Sequence, residues 1–574
     1  MSKVISEMKT NLFVLAFLTL VTLLFISPRI FAGDYLIGNY DIKGSRAIPS
    51  SSEPSLTRAK VIKEGLEVKW HTEMDGWVVT PPIVSKNIVF VGTNLYLSPF
   101  VPGSIYALNA NSGKVNWHAP IAGGVVSSPL VVDNMLYVFG FDGTMYKFNK
   151  KSGALLASHR VGLHPNPAID SAWAGVIFVP NQMVNGVKKD LIVSGINPND
   201  EQVDANGNPI PDIGIGAVVA FDADTLDVVW TTKTTLAGEG GAGIWESSPS
   251  YSSKLNLIYV TTGQTTKFDP NKPQPTPLEV GSDSVFAIDA SDGHVVWRTP
   301  LRPGSTDLWN FSIPFNPADP TDTDVADGAA LFELNGKEYV AMGSKRGYFY
   351  VLDAETGAVV NSSGIDSLGF VKGLDAYIAN TSDPNILAVG NGIDGGYNLD
   401  SGYFEKNGNI IHFGTIADYS DSMETVATDT NLYPDSNCVI GGFGVPGVPC
   451  PLLDFGRLIL ISGDGDHEIG RYSVASNHLF TPTYLDDMII MRASPNEPTI
   501  PGATVPDSII VLDVSDPSSP KLIQQIPLVF GNVVANSGGS TITIGNGMIY
   551  TGNGFFGFGP QQGLFAIGLI QNQQ

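Results

Sequence analysis

Cysteine, charge and histidine are all scarce in this chain. Two cysteines, Cys438 and Cys450, occur in 574 residues, and both fall in one Gly/Pro-rich stretch. No Cys-x-x-Cys-His sequence occurs, which excludes a covalently attached c-type haem. A local disulfide closing that stretch suits an exported protein better than a pair of reactive thiols. Only 15% of the residues are charged, and they are unbalanced: 32 Lys and Arg against 56 Asp and Glu, a net charge of −24. A nucleic-acid-binding face must be basic to meet the phosphates, so nucleic acid is excluded as a partner. What remains is a solubilising acidic surface or the binding of cations. The few histidines, His164 and His478 among them, show no metal-ligand spacing. A phosphate-cradling Gly-Lys-Ser/Thr loop and a Gly-x-Ser-x-Gly elbow are both missing, which argues against nucleotide chemistry and against a serine hydrolase.

Long helical periodicity is lacking as well; what the chain has instead is strand signal. Aliphatic and aromatic runs such as Asn87 to Gly92 and Met135 to Gly140 stand between Gly, Asn and Asp turns. One unit recurs: an aliphatic strand, Ala-x-Asp/Asn, a Gly turn, then a strand ending in Trp. Copies run from Ile105 to Trp117, from Met145 to Gly153 with Ser158 where Trp would be, from Val219 to Trp230 and from Ser284 to Trp297. Further copies begin at Tyr350 and Ile509, and a last one at Leu564. A strand-only unit with variable insertions predicts an all-β propeller, one four-stranded sheet per repeat. Seven copies are visible. The interval from Leu352 to Val511 holds room for another, with strands at Leu458 to Ile461 and Met488 to Met491. Eight blades are expected, with seven as the alternative. The Trp would pack between neighbouring blades. The strand from Gly547 to Gly552 would join N-terminal strands in one blade and close the ring without an open edge.

The ends and insertions complete the expected organisation. Lys3 and Lys9 precede an uncharged apolar run, Asn11 to Ser27, and then the small-residue site Phe31-Ala32-Gly33. Residues 1–33 read as an export signal cleaved after Ala32, or as an uncleaved anchor. Either places the protein outside the cytoplasm, periplasmic or secreted, with a membrane met only through that segment. Residues 34–65 form a polar lead-in without a clear period. Residues 66–574 form the propeller, with a long Gly-, Asn- and Asp-rich loop insertion at about 361–455 that carries both cysteines. Long ordered loops are more often functional than not.

The most informative stretch lies between Gly241 and Asn310. Ile244-Trp245-Glu246-Ser247-Ser248-Pro249 is followed by Leu257 to Gly263 and then Gln264. Together with the repeated Ala-x-Asp-x-x-Thr/Ser-Gly-x-x-x-Trp turn, this resembles the pyrroloquinoline quinone (PQQ) dehydrogenases, in particular the propellers of polyvinyl-alcohol-dehydrogenase type. The resemblance covers roughly residues 66–360 and, more weakly, the C-terminal tail. It implies an alcohol dehydrogenase that passes hydride to the quinone. Trp245 matches the Trp whose face carries the quinone ring, as a flat cofactor requires. Lys345 matches the cation beside the quinone oxygens, where it would stabilise a developing oxyanion; Arg346 competes for that place. No haem domain is attached, so electrons would leave to a separate acceptor. The substrate would be a small or a polymeric alcohol.

The implied metal site is where the chain departs from its likeness. The family holds Ca²⁺, or a lanthanide, with a Glu, an Asn and an Asp, hard oxygen ligands suited to such ions. Gln264 stands in the Asn position. The Glu position is Asn197 without a gap and Glu201 with an insertion, and Glu201 is preferred. The catalytic carboxylate of a Trp-Asp pair is replaced by Asn310, after Trp309. An amide can ligate a metal through its carbonyl but cannot accept a proton. Asp307 is the nearest remaining carboxylate, so either Asp307 serves as base, or the site holds the cofactor differently, or catalysis has been lost. The adjacent-cysteine pair seen in many members is absent. These departures keep a second function open: a non-catalytic propeller acting as an envelope binding or assembly module.

Overall fold

The computed structural model describes residues 34–95, 101–166, 169–198, 213–236, 238–244, 248–268, 271, 273, 279–301, 325, 327–344, 349–363, 401–418, 439–440, 443–444, 455–474, 478–479, 482–494, 506–535, 540–553 and 562–570. Among these, eight antiparallel sheets, each built on four strands, form the eight blades of a β-propeller. The first strands are Ile83–Ser85, Leu130–Val132, Ile177–Val184, Ser250–Ser252, Ala330–Leu334, Gly402–Lys406, Thr483–Leu485 and Thr543–Gly545, and they define blades 1 to 8. They touch one another around blades 8, 1, 2 and 3 and again around blades 4 to 7, so they line the central axis. Blade 8 takes its outermost strand, Leu66–Glu73, from the start of the propeller and pairs it with Gly563–Leu569 at the end, as the ring-closure expectation requires. The span 361–455 is not one loop: it contains the first two strands of blade 6, Gly402–Lys406 and Asn409–Asp418.

The repeated Trp latches one blade to the next. Trp70, Trp117, Trp230 and Trp297 each donate the indole N–H to a backbone carbonyl in the next blade's turn, at Ala110, Lys150, Ala290 and Ala354, at 3.1–3.2 Å. The turn glycines, Gly113, Gly153, Gly293 and Gly357, lie flat on those rings with positive φ, and a Cβ would come within 2.4–2.7 Å of the indole. A bulge recurs just before each third strand ends, after Ala107, Ala220 and Ala287. Bulges re-aim a side chain, and here the partner of each Ala is the latching Trp. Ser158 in blade 2 supplies no indole. Between blades 7 and 8 the Gln524 amide does the joining, accepting from Leu66 N at 2.8 Å and donating to Leu66 O at 2.9 Å.

Residues 34–57 close one end of the axis. Each first strand leaves through a tight hairpin, and these hairpins share one face with the Ala-x-Asp turns. Blade-to-blade connections and the connections between second and third strands share the other, open face. The N-terminal segment enters at the hairpin face, where Lys86 N donates to Asp34 Oδ1. It then accepts from one inner strand after another: Val84 N to Tyr35 O, Val131 N to Leu36 O, Tyr251 N to Ile42 O, Leu331 N to Lys43 O, Tyr403 N to Ser45 O and Tyr484 N to Arg46 O, all at 2.7–3.0 Å. Ile37 packs into the core shared by blades 2 to 4, and Glu53 accepts from Gly547 N in blade 8 at 2.6 Å. The strap is held from within. Asp41 accepts from Lys43 N, Ser45 N and Ser45 Oγ, and the fully buried Arg46 donates to Asn39 Oδ1 and Pro482 O. No helix among the described residues is long and apolar enough to cross a membrane, and residues 1–33 lie outside them.

Candidate functional site

Of the seven site residues expected from sequence, Gln264 is described. Trp245, Glu201, Asp307, Asn310, Lys345 and Arg346 lie outside the described residues, as do Cys438 and Cys450. The strand ends that bracket all seven are described, and every one belongs to the open face. Pro198 and Ala217 bracket Glu201, and Lys233 and Ser250 bracket Trp245. Thr261 and Ser284 bracket Gln264, Pro300 and Ala330 bracket Asp307 and Asn310, and Gly343 and Phe349 bracket the two cations.

Around Gly243 three connections meet. Ala242 N donates to Gln264 O at 2.8 Å, Gly263 N to Gly243 O at 3.0 Å, and Ile244 N to Ile196 O at 3.1 Å. A Cβ on Gly243 would fall 1.9 Å from the Asn197 side-chain oxygen, so only glycine lets the Asn197 amide lie there. Asn197 and Gln264, the two amides that stand at metal-ligand positions in an ungapped reading, thus flank one backbone step. Ile244 is the anchor of this connection. Its Cβ occupies the space a side chain on Gly195 would need, as Val125 does at Gly92 and Val78 at Gly552. The residues after two of these anchors, Val79 and Val126, gather with Phe141 and Trp173 in one apolar cluster on the open face. Phe141 and Trp173 meet edge to face with ring centres 5.2 Å apart, the preferred aromatic geometry.

Buried carboxylates tie the connections down. Glu239 is 1% exposed; its oxygens accept from Leu236 N at 2.8 Å, Gly281 N at 2.5 Å and Thr265 Oγ1 at 2.9 Å. Burial pushes its carboxyl up, and those hydrogen bonds oppose the shift. Asp327, also 1% exposed, accepts from Gly343 N and Ser401 N at 2.5 Å each and from Ser401 Oγ at 2.6 Å. Sequence reasoning did not find either residue, because a carboxylate capping backbone N–H groups leaves no spacing signature. Asn197 was visible, as the ungapped alternative to Glu201.

The donor set bears on which groups could be held. Among the described residues one cluster has metal-ligand spacing, Asp289, Asp292 and His294, and it belongs to the hairpin face. It is a repeat turn satisfied internally, with Ser291 N donating to Asp289 and His294 bonded to Asp292 at 2.7 Å. On the open face Gln264 offers a neutral amide, a weaker ligand for a hard cation than a carboxylate. For an organic group the fit is better. Ser250 and Ser344 are buried at strand ends of that face, and their hydroxyls have no hydrogen-bond partner among the described residues. Unpartnered buried hydroxyls suit a ligand rich in carbonyl and carboxylate oxygens.

The comparisons with known proteins divide along the chain. Residues 186–362 match the family model described as the β-propeller domain of glucose, ethanol and alcohol dehydrogenases. Residues 68–206 match the model described as outer membrane protein assembly factor BamB. A quinohemoprotein alcohol dehydrogenase, ADH-IIG of Pseudomonas putida, is 25% identical over 29% of this chain and 26% of its own length. A polyvinylalcohol dehydrogenase of a Sphingopyxis strain is 32% identical over 25% of this chain and 24% of its own. The matched sequence therefore spans about a quarter of these relatives. The likeness in fold is wider. The solved structure of the Pseudomonas putida enzyme superposes with a TM-score of 0.63 over 95% of this chain and 81% of that one, at 16% identity. A europium-containing methanol dehydrogenase superposes at 0.57 over 94% and 98%, at 13% identity.

Proposed function

We propose that this chain, a propeller of the PQQ-dependent alcohol dehydrogenase-like family, is an exported dehydrogenase that oxidises an alcohol at the open face. The observation that carries this reading is topological. All seven candidate residues fall in connections whose described ends lie on one face, opposite the strap that closes the axis. The quinone, when bound, supplies a two-electron acceptor for hydride from the alcohol carbon. The protein supplies the rest. Trp245 follows the anchor Ile244 as Val79 follows Val78 and Val126 follows Val125, which supports an axial place for its ring as the cofactor floor. Lys345 or Arg346 would stabilise negative charge as it develops on oxygen. Asp307 would take the hydroxyl proton that the amide of Asn310 cannot accept. Glu201, Gln264 and Asn310 would hold Ca²⁺ or a lanthanide with a single carboxylate among them, and so less tightly than a more highly charged set. Electrons would pass to a separate acceptor.

The test is a calorimetric titration of PQQ into metal-loaded protein freed of cofactor. Micromolar or tighter binding is expected, together with reduction of an artificial acceptor in the presence of alcohols. Trp245→Ala should abolish binding while leaving the unfolding midpoint in place. Asp307→Asn should leave binding intact and slow turnover by about 10²–10⁴. A second reading, a non-catalytic envelope module, draws on the neutral Gln264 position and on the assembly-factor match over residues 68–206. Folded protein that binds no PQQ with either metal would favour that reading and end the first.

A further inference from the structure

We propose that the Ser344 hydroxyl is a ligand contact of the open-face site and that Asp327 is the positioning residue that presents it. The inference rests on the cofactor reading above. Asp327 precedes the first strand of blade 5 and is the meeting point of three blades. Its carboxylate accepts from Gly343 N, at the end of the second strand of blade 5, and from Ser401 N and Oγ, where the chain enters blade 6. Its own carbonyl accepts from Thr261 Oγ1 at 2.7 Å, at the end of the second strand of blade 4. Thr261 stands three residues before Gln264. One residue thus ties together three strand ends, through its carboxylate at Gly343 and Ser401 and through its main-chain carbonyl at Thr261, and two of them, at Gly343 and Thr261, deliver candidate residues. Hydrogen bonds to a carboxylate are the strong kind, and several donors meet on this one.

Ser344 directly follows the clamped Gly343. It is 3% exposed, and its hydroxyl has no hydrogen-bond partner among the described residues. A buried hydroxyl left unpaired is destabilising, so a chain indifferent to it would do better with alanine. Among the described residues no hydrogen bond calls for the oxygen. A planar quinone bearing carboxylate and carbonyl oxygens would, because a hydroxyl held by a rigid strand end donates to such an oxygen without first giving up a bond to the protein. Asp327 fixes the backbone on which that hydroxyl stands, so its effect on the ligand runs through Ser344.

The two roles separate in a double-mutant cycle read by PQQ titration in the presence of Ca²⁺, with thermal unfolding recorded for each variant. Ser344→Ala should weaken PQQ by about five- to tenfold and leave the unfolding midpoint unchanged or raised. Ser344→Thr should restore most of the affinity. Asp327→Asn, which turns one acceptor into a donor facing donors, should weaken PQQ and also lower the midpoint. The double variant should lose less affinity than the product of the two single losses, since both act on one contact. Equal affinity in wild type and Ser344→Ala would overturn the ligand contact. Strictly multiplicative losses would overturn the positioning role of Asp327. Wild type that binds no PQQ would remove the cofactor reading and this inference with it, an outcome distinct from both.

Discussion

Gly293 and Gly186 have nearly the same backbone angle, φ +79° and +78°, in opposite surroundings. A Cβ on Gly293 would fall 2.7 Å from the Trp230 ring, whereas one on Gly186 would meet nothing within 4 Å. Both replacements by alanine strain the backbone, at about 1–2 kcal/mol. Only Gly293→Ala also pushes a latching indole off its carbonyl, which should add roughly 1–3 kcal/mol. Urea unfolding of the two variants separates the latch from the turn. His412 gives a second residue-scale prediction. It is buried among Phe332, Phe349 and Tyr403, with Nε2 3.1 Å from Gly463 O. Burial holds its pKa down to about 4. The unfolded chain binds the proton first, near the ordinary value of about 6.5. The stability tied to neutral His412 is therefore complete above that value and is lost as pH falls towards 4. Relative to His412→Leu, wild type should lose up to about 3 kcal/mol between roughly pH 7 and pH 4, measured by urea unfolding along a pH series.

At the scale of elements the strap is the feature to test. Its carbonyls satisfy the inner-strand N–H groups of Val84, Val131, Tyr251, Leu331, Tyr403 and Tyr484. Deleting residues 34–48 would strip these donors and open the hairpin end of the axis. At about 1 kcal/mol or more for each unpaired group, the ring should lose several kcal/mol, seen as a lowered unfolding midpoint and new protease cleavage near the first strands. The strap also marks where the sequence stops being legible. Trp117, Trp230 and Trp297 could be read in advance because their code is local: an Ala, a Gly and an indole at fixed spacing. Residues 34–57 carry no period, since each blade pairs with only one or two of them. The first strands of blade 6 escaped notice for a related reason: Gly402–Lys406 and Asn409–Asp418 stand apart from any Ala-x-Asp turn. In the candidate site, the expectation of Gln264 as a ligand followed from its motif. Asp327 and Ser344 did not, because their meaning arises from strand ends that converge only in the folded ring.

For the molecule as a whole, the latches divide the circle. Indole latches join blade 8 to 1, 1 to 2, 3 to 4 and 4 to 5, and the glutamine bridge of Gln524 stands between 7 and 8. The sequence match to the alcohol dehydrogenase β-propeller model, residues 186–362, falls mainly on blades 3 to 5, where two of the indole latches lie. The pairing of Leu66–Glu73 with Gly563–Leu569 bears on how the protein is made. The first blade strand to leave the ribosome has no partner until almost the whole chain has followed it. At about 5–20 residues per second, that wait lasts on the order of half a minute to two minutes. Through that interval the early blades can form, but the ring cannot close. Until the last strand arrives, Leu66–Glu73 stays unpaired, a template that other chains can meet before its own partner does.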